Sequence, residues 1–153
     1  MDLILWRHAE AFDPRAAGDD LDRALTPKGE RQAQRMAEWL QPRLPAATRV
    51  LVSPARRAQQ TAAALDRPRQ TVPAMAPGGT VEGLLRAAGW PDAPEAVLVV
   101  GHQPTLGWVV ARLLAGNTAA WTLRKGAFVW LRRRGREGEA QALLHASLGV
   151  DLL

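Results

Sequence analysis

Cysteine is absent from this chain of 153 residues. That excludes disulfide frameworks, thiolate nucleophiles and cysteine-ligated zinc or iron–sulfur centres, so any nucleophile must be of another residue type. Long apolar runs are absent too. None approaches the ~18 residues that a membrane span needs. The opening stretch Met1 to His8 has neither the basic start nor the long apolar segment of a secretory signal. The chain therefore reads as a cytoplasmic protein with no membrane partner. Lysine is scarce, with 2 Lys beside 18 Arg. A bias that lopsided resembles a nucleotide-composition effect more than a selected surface, yet it supplies many planar, permanently charged forks suited to phosphate or carboxylate. Hydrophobic residues at 47% and charged residues at 23% are globular proportions. The length fits one domain over residues 1–153, at roughly 100 to 200 residues per domain. A net charge of +5 keeps a nucleic-acid partner in view. Against it, the one dense basic run, Arg132, Arg133, Arg134 and Arg136, reads as a solvated hairpin turn with Gly135 and Gly138.

Strand and helix signals alternate along the chain. Leu3 to Trp6 form a short apolar run ending at Arg7-His8, a buried first strand with a polar tip. Residues 11–24 carry Asp13, Pro14, Gly18, Asp19, Asp20 and Asp22 without periodicity and read as a loop. Thr26-Pro27 has the cap-then-proline form of a helix start. Ala33, Met36, Ala37 and Leu40 follow at helical spacing until Pro42 and Pro45 stop it. Val50 to Val52 predict a second strand. Ser53-Pro54 repeats the cap signal into a helix reaching about Leu65, with Ser53 as its N-cap. Residues 70–73 predict a short edge strand and 80–88 a short helix. Ala96 to Val100 is a continuous apolar run, as in a strand covered on both faces, and it ends at Gly101-His102-Gln103-Pro104. Leu106, Val109, Val110, Leu113 and Leu114 then mark a helix closed by Gly116-Asn117. Residues 127–131 and 140–148 predict an antiparallel hairpin. This order specifies an α/β fold, a three-layer α/β/α sandwich with a mostly parallel central sheet and the hairpin at its C-terminal end.

Ligands of such sheets sit beyond the carboxyl ends of the strands. Three predicted strands end in reactive or charged residues: Arg7-His8, Ser53 with Arg56 and Arg57 just beyond, and His102. If those strands are parallel, their tips share one edge. Two imidazoles and two guanidiniums without a carboxylate cluster suit a dianionic phosphoryl group, which arginine forks bind bidentately. An imidazole there can serve as nucleophile or as acid–base group. A metal or other cofactor is not expected, because two histidines beside two cations lack a third ligand. His145, the remaining histidine, lies within the hairpin pattern and reads as a plain strand residue. Gly29 and Gly101 read as close-packing or turn glycines. Ser53 and the adjacent helix N-terminus could add phosphate-binding N–H groups.

The motifs LILWRHAEA at 3–11, LTPKGERQA at 25–33, VLVSPARRAQQTA at 50–62 and VLVVGHQPTL at 97–106 occur in an order that resembles the histidine phosphatase superfamily. This is the phosphoglycerate-mutase-like group, and within it the resemblance is to the short SixA-type phosphohistidine phosphatases. The resemblance implies that His8 is a nucleophile transiently phosphorylated and that Arg7 grips the phosphoryl oxygens. It also implies that Arg57, which opens the R-A-x-x-T pattern, binds phosphate rather than Arg56, and that His102 stabilises the transition state. Larger members supply an acid that protonates a leaving alkoxide. Here the stretch between Pro73 and Glu95 is short and offers Glu82 as the candidate acid. A missing acid favours a leaving imidazole over an alkoxide. The implied substrate is phosphohistidine on a protein such as a phosphotransfer domain. The alternatives are a small-molecule phosphomonoesterase on the same scaffold and a noncatalytic phosphate-binding module.

Overall fold

The computed structural model describes residues 1–16, 18–136 and 141–153. The chain runs β1 (Asp2–Arg7), α1 (Pro27–Leu40), β2 (Arg49–Val52), α2 (Arg56–Ala63), β3 (Arg69–Thr71), α3 (Val81–Ala88), β4 (Val97–Gly101), α4 (Thr105–Ala115), β5 (Phe128–Arg134) and β6 (Gln141–Leu148). The strands form one sheet in the order β3-β2-β4-β1-β5-β6. The pairs β3/β2, β2/β4 and β4/β1 are parallel, and β1/β5 and β5/β6 are antiparallel. This is the mostly parallel sheet with a C-terminal antiparallel hairpin that the sequence pattern implied.

Alternation along the strands divides the apolar side chains between two layers. Ile4 and Trp6 of β1, Val50 and Val52 of β2, and Leu98 and Val100 of β4 face Met36, Ala37 and Leu40 of α1 and Ala58 and Ala62 of α2. Leu3, Leu5, Leu51, Val97 and Val99 face Leu84 of α3 and Leu106, Val109 and Val110 of α4. A strand with helices on both sides has no solvated face, which is why β4 reads VLVVG and is buried throughout.

The helix signals hold at most positions. Thr26 accepts the Gly29 N–H at 3.0 Å and Pro27 opens α1. Thr80 accepts the Gly83 N–H at 3.0 Å, and α3 and α4 each end on a left-handed glycine, Gly89 and Gly116. Three readings need correction. Ser53 is not the N-cap of α2: that position belongs to Ala55, which offers no side-chain acceptor, and Ser53 is turned to another use described below. Arg132 to Arg134 lie in β5 and not in a turn. Asp2 holds Arg132 through two bonds of 2.9 and 3.1 Å, and Asp92 lies 3.5 Å from Arg133. The rest of the expected turn, residues 137–140, lies outside the described residues. Gly101, finally, is not a close-packing glycine, because a Cβ there would meet Leu106 at an ordinary 3.5 Å.

Gly29 differs from Gly101 in kind. A Cβ at Gly29 would be driven into the Glu10 carbonyl, so the α1 N-terminus reaches the segment after β1 only without a side chain. Gly29→Ala is expected to lower unfolding stability by about 1 to 3 kcal/mol, the usual cost of overpacking, whereas Gly101→Ala is near neutral. Urea titration of the two variants checks this, and equal losses would remove the distinction.

Candidate active site

The parallel register carries three chain segments to one edge. Arg7 pairs with Gly101, and Val52 pairs with Val100. The ladder continues past the strands: the His8 N–H donates to the Gly101 carbonyl and the Ser53 N–H to the Val100 carbonyl, each at 3.1 Å. Arg7, His8, Ser53 and His102 therefore leave the sheet together, and the first turn of α2 adds Arg57. Residues 56 and 57 point about 100° apart on that helix. Arg57 is buried and Arg56 exposed. His8, Arg57 and His102 are 6%, 3% and 4% exposed, and the two imidazole rings lie 5.1 Å apart.

Hydrogen bonding settles the form of both rings. His8 Nδ1 lies 2.7 Å from the Ala9 carbonyl, which can only accept, so Nδ1 carries the proton and Nε2 keeps its lone pair. His102 Nδ1 stands 3.5 Å from Arg57 Nη2, which can only donate. Nε2 then donates to Ser53 Oγ at 2.7 Å. Ser53 Oγ also accepts the Ala55 N–H at 3.1 Å. The buried serine thus spans the base of α2 and the second histidine. Burial pushes the His8 pKa down to about 4, and the neighbouring Arg57, Arg7 and Arg23 charges add to this against the Ala9 hydrogen bond. Burial, with His8 and Arg57 alongside, pushes His102 down to about 3.

The guanidiniums are partly committed. Arg7 Nη1 donates to the Leu123 carbonyl at 2.7 Å. Arg57 Nη1 donates to the Asp20 carbonyl at 2.7 Å and Nη2 to the Asp20 carboxylate at 3.1 Å. The Nε–H of each arginine is buried without a partner. Buried cationic donors without partners are costly unless an acceptor completes them.

Two residues of this site escaped the sequence reading. Residues 11–24 contain a 3₁₀ turn, Asp20–Asp22, that brings Asp20 onto Arg57. The other Asp20 oxygen accepts from Arg23 Nε at 3.0 Å, and Arg23 also donates to the Phe12 carbonyl at 2.7 Å. Burial works against ionisation of Asp20, but hydrogen bonds from Arg23 and Arg57 hold its carboxyl below the usual range. The available signal was an acid and a base three apart in a loop next to a predicted site. Thr61, which closes the R-A-x-x-T pattern, is fully buried; it accepts the Ala9 N–H at 3.1 Å and donates to the Arg57 carbonyl at 2.8 Å. That threonine couples the arginine helix to the residue following His8.

Glu82 makes no hydrogen bond or salt bridge to these groups among the described residues. Its carboxylate meets Arg112 at 3.0 Å, and its own main-chain N–H together with Arg112 keeps it ionised below the usual range. His145 lies in β6, edge-on to Trp130 and 3.4 Å from Arg132. Among the described residues no group of three His, Asp or Glu side chains is placed to hold a metal ion, and no helix is long and apolar enough to cross a membrane.

The three-layer α/β fold thus gathers two histidines and two arginines at the carboxyl edge of its sheet. The model of the histidine phosphatase superfamily (branch 1) matches residues 3–78. Phosphohistidine phosphatase SixA of Escherichia coli is 35% identical over 127 residues, covering 77% of each chain. An uncharacterized protein of Picosynechococcus is 36% identical over 161 residues, covering 100% of this chain and 95% of that one. A solved structure of the protein histidine phosphatase SixA complexed with tungstate superposes with a TM-score of 0.79 at 27% identity, covering 99% of both chains. The chain belongs to the histidine phosphatase superfamily and is a SixA-type phosphatase within it.

The depressed histidines make stability depend on acid in a definite direction. An unfolded histidine titrates near pH 6.5, above the folded values of about 4 and about 3. Below about pH 6.5 the unfolded chain binds more protons, so stability is full above that pH and falls as pH drops toward the folded values. Unfolding free energy should decline from pH 7.5 to 5, where ordinary carboxylates hardly titrate. The slope should flatten in His102→Gln. An unchanged slope would remove the buried neutral histidines as its source.

Proposed function

We propose that the chain removes phosphate from phosphohistidine carried on a protein, through a covalent phosphohistidine on His8. The observation that carries this reading is the His8 tautomer. Its Nε2 lone pair is free at neutral pH, and the Arg57 and Arg7 charges act on the ring. Nε2 attacks phosphorus in line, and the bond to the substrate imidazole breaks. The departing ring takes up a proton. Water then attacks the phosphorus on His8, releasing inorganic phosphate and restoring the lone pair.

Arg7 and Arg57 hold the equatorial oxygens, so the step needs positioning and charge stabilisation more than bond-making groups. Entry of the dianion raises both histidine pKa values. His102, fixed through Nε2 by Ser53, can then bring a proton on Nδ1 to a phosphoryl oxygen. Ser53 serves by orienting His102, which supports a positioning role over direct phosphate binding. Asp20 holds Arg57 through both terminal nitrogens.

The leaving group decides the substrate class. An alkoxide needs a proton donor, whereas an imidazole is protonated without one near neutral pH. Glu82, ionised and paired with Arg112, carries no proton to give. Phosphohistidine protein should therefore turn over much faster than sugar phosphates, with activated aryl phosphates between, and Glu82→Gln should change none of these rates. Brisk sugar-phosphate hydrolysis that depends on Glu82 would favour a small-molecule phosphomonoesterase. Inactivity on all three classes would favour a phosphate-binding module.

Quenched enzyme should carry phosphoryl label that is lost in acid, stable in alkali and absent from His8→Ala. Acid-stable label would place the intermediate elsewhere. Arg57→Ala should cost about 2 to 4 kcal/mol of transition-state stabilisation, as for a preorganised donor. Arg56→Ala should cost little, and Asp20→Asn should fall between. Equal losses in kcat/KM for the two arginines would refute their separation.

A further inference from the structure

Beside the catalytic edge lies a cavity of about 510 Å³ lined by Lys28, Arg31 and Arg35 of α1, by Arg124 and Lys125, and by Asp151. The three α1 cations recur at i, i+3 and i+7, one exposed face of the helix. Asp151 is committed to Arg124 at 3.3 Å, and Arg35 donates to the Leu153 main-chain oxygen. Lys28, Arg31 and Lys125 have no carboxylate within salt-bridge distance among the described residues. Three unpaired cations on one concave surface repel one another and create a positive field.

The same short segment builds both this cavity and the catalytic site. The Leu123 carbonyl accepts from Arg7, and the Gly126 N–H donates to the His8 carbonyl at 3.1 Å. Arg124 and Lys125 stand between those two anchors. Arg124 also lines an adjoining cavity of about 290 Å³, whose walls include Leu114, Trp121, Leu123 and Leu144. Trp121 and Leu144 are 43% and 49% exposed. The basic surface and the apolar one thus meet at Arg124.

We infer that this composite face docks an acidic surface of the phosphohistidine protein, with an apolar partner side chain entering beside Trp121, an inference that rests on the function proposed above. Apolar anchors ringed by charge suit a protein partner. A nucleic-acid backbone would use the cations and leave the apolar cavity idle. Exposed cations arranged over two elements act mainly on the rate of encounter, which complementary charge raises about 10- to 1000-fold and salt suppresses.

The test compares wild type with Lys28→Glu/Arg31→Glu/Lys125→Glu on two substrates. One is a phosphotransfer domain of net negative charge, phosphorylated on histidine; the other is an aryl phosphate. The expected result is a fall of at least about tenfold in kcat/KM for the protein, with aryl phosphate hydrolysis unchanged. The wild-type advantage on the protein should also shrink with added salt. A parallel fall on both substrates, or no fall on either, would overturn the docking face. Wild type that hydrolyses aryl phosphate but not the phosphorylated domain would instead overturn the substrate reading beneath it. Duplex DNA binding lost in the triple variant, with protein turnover retained, would make the face a nucleic-acid surface. A shift from dimer to monomer in sedimentation, with turnover retained, would make it an interface between copies. Either would overturn the inference.

Discussion

The parallel hydrogen bonding of β1 and β2 on either side of β4 is the constraint on which the site depends. Parallel strands end at the same edge, so residues remote in sequence leave the sheet side by side. The His8 and Ser53 N–H groups extend the ladder one residue beyond the strands, onto the Gly101 and Val100 carbonyls. That extension places the first imidazole against the second. A slip of one residue in either pairing would turn every core side chain to the opposite face. The apolar division between the two helical layers therefore fixes the site as firmly as it fixes the core.

Within that frame the electrostatics run against easy folding. Two neutral imidazoles and two guanidiniums are gathered in a buried place, with an Nε–H of each arginine unpaired. The surrounding structure offsets this through acceptors that use part of each fork. Leu123 takes one N–H of Arg7, and Asp20 takes two of Arg57. In the function proposed above, the two fixed guanidiniums supply charge that is in place before a phosphoryl group arrives, as electrostatic preorganisation requires. Burial also keeps His8 unprotonated at neutral pH, with the Nε2 lone pair free.

The segments that hold these groups from outside the sheet reach toward the molecular surface. The 3₁₀ turn at Asp20–Asp22 ties Arg57 to Arg23 and exposes Leu21 beside it. On the other side, residues 121–126 present Trp121, Arg124 and Lys125 while their main chain secures Arg7 and His8. The backbone that secures Arg7 and His8 therefore also presents exposed side chains at the surface.

Much of this was legible in the sequence because it is written locally. Apolar runs of period two or of helical period, each closed by a cap or a glycine, define β1, α1, β4, α3 and α4. Arg7-His8 and His102 declare themselves by following such runs. Helical geometry together with the R-A-x-x-T pattern singles out Arg57 over Arg56. What stayed hidden depends on contacts between distant segments. Ser53 has the local form of a helix cap, yet its oxygen lies 2.7 Å from a histidine 49 residues away. Asp20 sits in a stretch without periodicity, where its spacing to Arg23 signals a local pair but not the closure of its carbonyl and carboxylate on a buried arginine 37 residues later. Arg132 to Arg134 looked like a solvated turn until β5 paired with β1 and set Asp2 opposite Arg132. The sequence by itself determined the layers and placed Arg7-His8 and His102 after apolar strands, because periodicity and capping act over a few residues, while the choice of Arg57 came from the family resemblance. Only the tertiary structure decided the histidine tautomers, the restraint on Arg57 and the basic face beside the site, because hydrogen-bond partners and local fields arise from groups that meet after the chain has folded.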